Sequence, residues 1–212
     1  TQVTNPLQQK VQYEYDNLNR RTKLTSAENR VMTFGYDPNS NLKQVTDPKG
    51  NVTTYEYDNQ DQLLQRTDPS GKSETYQYYR NGNLKSRTDR KGQTTQYVYD
   101  LNNRVQSVTY ADGKIVTTSY DDGDRLTRIT DTADSTNSSC GLGCHEYQYD
   151  LMDNPKQEVG PRGTVAYRYD ALNRRSELKV NGTRTLGYGW DSNDNLQTIT
   201  ENGKVFDYDY DE

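Results

Sequence analysis

Aromatic side chains recur along the chain in pairs two residues apart, each pair closed by a polar run that opens on aspartate, as in "VQYEYDNLNR" from Val11 to Arg20. Residues at i and i+2 share one face of a strand, so each pair projects to one side. With the second aromatic as origin, Tyr15, Tyr36, Tyr57, Tyr78, Tyr99 and Tyr120 follow one another at intervals of 21 residues. Tyr149, Tyr169, Trp190 and Tyr210 continue the series after intervals of 29, 20, 21 and 20. Two positions before the origins stand Tyr13, Phe34, Tyr55, Tyr76, Tyr97, Thr118, Tyr147, Tyr167, Tyr188 and Tyr208. Nine tyrosines in one column and eight in the other account for 17 of the 19 in the chain. A short fixed period of this kind marks a repeat array. The one eight-residue excess falls between Tyr120 and Tyr149, in "DTADSTNSSCGLGCH" from Asp131 to His145.

The rest of each unit reads as a hairpin. Four positions after the origin stand Asn19, Ser40, Asp61, Gly82, Asn103, Asp124, Asp153, Asn173 and Asp194, residue types that bond to nearby backbone and, serine excepted, tolerate positive φ. Two positions further on an aliphatic opens the next strand in most copies, as at Leu42, Leu63, Leu84, Val105, Leu126 and Leu196. That strand runs into "VTDPKGN", "RTDPSGK", "RTDRKGQ" and "VTYADGK", whose Gly50, Gly71, Gly92 and Gly113 share one register and carry turn chemistry. Each unit is strand, turn, strand, turn. No stretch sustains a 3.6-residue apolar period, so the prediction is all-β: tandem hairpins of about 21 residues forming one long curved or spiralling antiparallel sheet. Residues 1–212 are expected to be a single array of nine to ten hairpins with a loop insertion near 131–145. About 20 strands at roughly 4.8 Å spacing would extend on the order of 95 Å, too wide for side chains to fill if rolled up, so a hollow or open trough is expected.

Composition changes this picture less than it first suggests. With 29% hydrophobic and 27% charged residues and a mean hydropathy of -1.23, the chain resembles a disordered one. The tyrosines resist that reading, because each brings a large buriable ring, high strand propensity and a water-tolerant tip. A formal charge of -5, with Lys and Arg interleaved among Asp and Glu, argues against nucleic acid or an anionic membrane surface as partner. No apolar run approaches the roughly 18 to 20 residues that span a bilayer, and residues 1–20 do not resemble a signal peptide. Export would have to be directed from outside this chain.

Candidate chemistry is sparse. The aspartates after the origins, such as Asp16, Asp37, Asp58 and Asp100, read as turn residues because they recur in nearly every hairpin. "DDGD" at Asp121 to Asp124 clusters carboxylates suited to calcium, but without the spacing of a known calcium loop. His145, the one histidine, adjoins Cys144; neighbours in an extended chain point to opposite faces, and no further ligand is evident. Neither a catalytic group, nor a metal, nor a cofactor is therefore assigned. Cys140 and Cys144 in "CGLGC" either close a small disulfide ring or remain reduced thiols. The aromatic columns, Tyr13, Tyr15, Tyr36, Tyr55, Tyr57, Tyr76, Tyr78, Tyr97, Tyr99, Tyr120, Tyr147, Tyr149, Tyr167, Tyr169, Tyr188, Trp190, Tyr208 and Tyr210, are expected to form structural ladders. Rings among polar residues also suit sugars, so a cell-surface glycan-binding or adhesion module is the alternative function.

The units resemble the Rhs or YD-repeat family, whose signature runs approximately Tyr-Asp-x-x-Gly-Arg-Leu followed by Thr-Asp and a glycine turn. "YRNGNLKSRTDRKG" from Tyr79, "YDDGDRLTRITD" from Tyr120 and "YDALNRRSELKV" from Tyr169 carry the resemblance, which extends over essentially the whole chain. It departs at Tyr79, where aspartate is usual, at Thr118 in place of an aromatic, and at Pro155 in place of an aliphatic. The resemblance implies a hollow shell that encloses or displays a toxin or effector domain of the same polypeptide, in a larger exported protein that is secreted or held at the cell surface. It also implies an Asp-Pro-x-Gly-Leu cleavage motif near the shell's end; "DPKG" and "DPSG" lack the leucine and read as turns. Any self-cleaving end and toxin are thus expected outside these 212 residues.

Overall fold

The computed structural model describes residues 2–4, 10–131 and 143–210. Among them are twenty β-strands and no helix, and within each of the chain's two units the strands pair antiparallel in chain order. The chain divides into two compact units, Thr1–Tyr97 and Val98–Glu212.

In the first unit the strands are β1 (Gln2–Thr4), β2 (Lys10–Tyr15), β3 (Arg21–Thr25), β4 (Val31–Tyr36), β5 (Leu42–Thr46), β6 (Val52–Tyr57), β7 (Leu63–Thr67), β8 (Ser73–Tyr78) and β9 (Leu84–Thr88), with β10 (Thr94–Tyr99) crossing the boundary after Tyr97. The turns that join them share one hydrogen-bond pattern. After Tyr36 the Asp37 N–H donates to the Asn41 carbonyl, and the Ser40 N–H donates to the Asp37 carbonyl. Ser40 has φ 75°. This is a three-residue hairpin loop, a type I turn followed by one left-handed residue. The turn at the other end of the strands, Asp47 to Asn51, repeats it with Gly50 at φ 83°.

In this unit the strand after an origin carries one extra residue. Tyr36 stands opposite Leu42, and Phe34 stands opposite Val45, so two aromatics two apart face two aliphatics three apart. A bulge absorbs the difference and keeps both aliphatics in register with the aromatics. The same slip occurs beside Tyr15, Tyr57 and Tyr78.

The second unit contains β11 (Val105–Thr109), β12 (Ile115–Tyr120), β13 (Leu126–Asp131), β14 (Cys144–Tyr149), β15 (Pro155–Gly160), β16 (Gly163–Tyr169), β17 (Arg175–Val180), β18 (Arg184–Trp190), β19 (Leu196–Glu201) and β20 (Lys204–Asp207). Here the 20-residue intervals before Tyr169 and Tyr210 acquire a cause. Between Tyr149 and Tyr169 the far turn shrinks from five residues to two, Pro161 and Arg162, while the flanking strands grow to six and seven residues. The unit comes out one residue short. Between Trp190 and Tyr210 the far turn is Asn202-Gly203, with φ of 50° and 79°, the tight hairpin turn that needs two left-handed residues.

Neither unit has a deep core. Among the described residues only Cys144 and Glu74 are buried, and the aromatic columns are mostly half-buried. Strands in one layer are held by their ladders and by side chains that reach from one repeat to the next. The insertion expected near 131–145 begins where β13 ends, but residues 132–142 lie outside the described residues.

Candidate functional site

The aspartate after each origin makes a compact anchor. Asp16 Oδ1 accepts from the Leu18 and Arg20 N–H groups, at 3.0 and 2.9 Å, and Oδ2 accepts from Arg20 Nε at 2.7 Å. Local side-chain to backbone bonding of this type explains why the position prefers aspartate. Asp121 is held in the same way by Gly123, Arg125 and its Nε. That carboxylate of "DDGD" is thus already occupied by the protein's own donors. The Arg125 guanidinium holds the Asp121 carboxyl below the usual aspartate range, as Arg20 does for Asp16.

The arginine five positions after the origin is the residue the column analysis missed. From its own aspartate Arg125 reaches forward: Nη1 donates to the Asp150 carbonyl at 3.3 Å and to Asp153 Oδ1 at 2.6 Å. Its guanidinium also lies over the next origin ring, 4.9 Å from the Tyr149 centroid. Arg20, Arg104 and Arg174 make the same three contacts with Tyr36, Tyr120 and Trp190. Planarity, five fixed donors and π-stacking make arginine suited to the place. Asn41 and Asn154 substitute by donating to their own aspartate and to Asp61 and Asn173 of the next turn. The arginine of the quoted Tyr-Asp-x-x-Gly-Arg-Leu signature was the available signal.

The origin aromatics close the link in the other direction. The hydroxyls of Tyr36, Tyr57, Tyr78, Tyr120 and Tyr149 donate to the carbonyls of Arg21, Leu42, Leu63, Val105 and Leu126, the first residues of strands in the preceding repeat. Trp190 Nε1 does the same to Arg175 at 2.8 Å. A ring with a donor at its tip is what the position requires, which accounts for tyrosine and a lone tryptophan where phenylalanine would leave a carbonyl unmet. Burial pushes the Tyr57, Tyr78 and Tyr149 hydroxyls upward in pKa.

In the first unit charged residues interrupt the ring-bearing face. Glu74, 8% exposed, accepts from the Tyr76 hydroxyl at 3.1 Å and from Arg87 Nη2 at 3.2 Å. Arg90 Nε lies 3.5 Å and Arg66 Nη1 3.9 Å from the same carboxylate. Burial pushes the Glu74 carboxyl upward, but the Tyr76 hydroxyl and the Arg87 and Arg90 charges outweigh it and hold the group below its ordinary value. In the second unit His145, in β14, packs against Gly160 of β15, and Glu158 and Val165 border the same cleft. Cys144 beside it is 0% exposed. Its candidate partner Cys140 lies outside the described residues.

An array of antiparallel hairpins, linked repeat to repeat by aspartate anchors paired with Arg or Asn and by aromatic tips, defines a tandem β-repeat protein. The RHS repeat model matches residues 1–31, 36–73, 78–115 and 99–136, together more than half of the sequence. The chain belongs to the RHS repeat family. A comparison with curated protein sequences finds no match. Among solved structures, the crystal structure of TcdB2-TccC3 superposes with a TM-score of 0.72 at 15% identity, covering 91% of this chain and 12% of that one. TcdB2-TccC3-TEV and TcdB2-TccC3 without its hypervariable C-terminal region give TM-scores of 0.53 and 0.52 at 14% identity over the same shares. At such identities the likeness is one of fold, and the chain spans 12% of the length of these relatives.

Proposed function

We propose that this chain is a wall segment of an RHS-repeat shell, which in its full-length parent encloses or displays an effector domain of the same polypeptide. The observation that carries the reading is the hairpin array itself, matched over 91% of its length to a stretch that is 12% of a TcdB2-TccC3 chain. A related solved form is described as lacking a hypervariable C-terminal region, so in that protein the shared fold accompanies a variable end. The role is structural: carboxylates, arginines and phenols that resemble catalytic equipment are spent on linking one repeat to the next. The aromatic columns serve as ladders between repeats, and the parent protein is exported.

Limited proteolysis of the full-length parent tests this. The effector domain should resist protease at concentrations that digest it when expressed alone, and become sensitive once the repeats are unfolded. Equal digestion of the free and parent-linked domain would overturn the enclosing role.

A further inference from the structure

On the ring-bearing face, a row beside the aromatic columns is largely apolar. Leu24 stands opposite Met32, Leu178 opposite Leu186, and Ile199 opposite Phe206. At the same register Arg66 stands opposite Glu74, and Arg87 opposite Tyr76. The neighbouring repeats prove that apolar side chains fit this place. Replacing buried ion pairs by apolar residues is often neutral or stabilising, so the fold does not need charge here.

The charged residues border a cleft of about 450 Å³ whose walls include Lys72, Glu74, Arg87, Asp89, Arg90 and Lys91 and no apolar side chain. Its acceptors are largely taken. Asp68 Oδ1 receives the Ser70 N–H and hydroxyl and the Lys72 N–H, while Oδ2 receives Arg90 Nη1 at 3.3 Å. Glu74 is shared among Tyr76, Arg87 and Arg90. The donors are not used up. Arg87 and Arg90 are 45% and 48% exposed and carry five N–H groups each, and Lys72 and Lys91 line the same cleft. Asp89 uses Oδ1 for the Lys91 and Gln93 N–H groups and keeps Oδ2 for a further donor.

We infer that this cleft binds a saccharide bearing a carboxylate, of the uronic acid class. The ligand's carboxylate meets Arg87, Arg90 and Lys91, and its hydroxyls donate to Asp89 Oδ2 and accept from Lys72. Three carboxylates in the wall oppose a densely anionic ligand such as a polyphosphate. A wall without apolar side chains lacks the anchor sites on which peptide recognition depends. The site is independent of the shell reading, because it binds or fails to bind whatever the array encloses.

Calorimetric titration of the 212-residue chain with tetragalacturonate at low salt tests the inference, with its methyl ester as the uncharged counterpart and tetraglutamate as the peptide arm. Saturable binding to tetragalacturonate is expected, weakened about tenfold or more by esterification and by Lys91→Gln or Arg90→Gln, each of which removes a charge-assisted contact. Lys91→Gln leaves the Glu74 cluster intact, and an unchanged circular dichroism spectrum separates lost binding from lost folding. No saturable binding, equal binding of the ester, tighter binding of tetraglutamate, or full affinity in both folded variants would overturn it.

Discussion

A single guanidinium, that of Arg125, touches its own turn, the next turn and the next ring. Arg125→Lys keeps the charge and loses both the fork and the stack, so the urea midpoint should fall with the slope unchanged. Arg125→Asn should retain more stability than the lysine variant, because Asn154 performs this task one repeat later. Tyr57→Phe removes the donor that meets the Leu42 carbonyl at 3.0 Å, and a loss of about 1 kcal/mol in urea unfolding is expected. The aspartate anchors set the pH dependence. Asp16 and Asp121 are held below the ordinary value, chiefly by Arg20 and Arg125, and Asp68 is lowered to about 2 by Ser70 and its other donors. A depressed folded pKa means that the unfolded chain binds more protons in this range, so stability is full above about pH 4 and drains away as pH falls toward 2. A thermal midpoint that stays level from pH 5 to pH 2.5 would contradict this assignment.

At the scale of the hairpin, the left-handed residue decides whether the turn closes. Gly92 has φ 78°, and a Cβ placed there meets nothing within 4 Å. Gly92→Val therefore tests conformation alone and should cost about 1 to 2 kcal/mol, with Gly92→Asn costing less. This layer was legible in the sequence: the column from Asn19 to Asp194 adopts positive φ at every one of its nine members, Ser40 included. Other features were hidden for physical reasons. Leu42 and Val45 are three apart, a spacing that resembles no strand until a bulge is inserted between them. Arg20 and its equivalents are missed by any search for apolar period, since their contacts are polar and lie a repeat away. The shortened spacing before Tyr169 and Tyr210 is written in Pro161-Arg162 and Asn202-Gly203, but counting from aromatic to aromatic registers only the missing residue. Cys140 and Cys144 remain as the sequence left them, and we propose that they form a disulfide. Intact mass should rise by about 2 Da on reduction, following from two sulfur atoms regaining hydrogen.

At the scale of a whole unit, strands contact their neighbours in the chain, and among the described residues none contacts a strand further away. Stability in such arrays is a sum of repeat and nearest-neighbour contributions. Excision of residues 58–78, one complete period, joins Tyr57 to Tyr79 with every strand direction preserved, and the shortened chain should keep its β spectrum. Excision of half a period reverses the strands that follow and should not. The order of pairing also fixes how the molecule answers to tension. Because the ladder bonds of consecutive strands within a unit run across the strands, a pull on the two ends of that unit loads them one pair at a time, as a zipper is loaded. Each 21-residue period would then give way separately at low force, releasing about 60 Å of chain once its folded width is subtracted from its extended length. An RHS array of this geometry is easily unravelled from its edge.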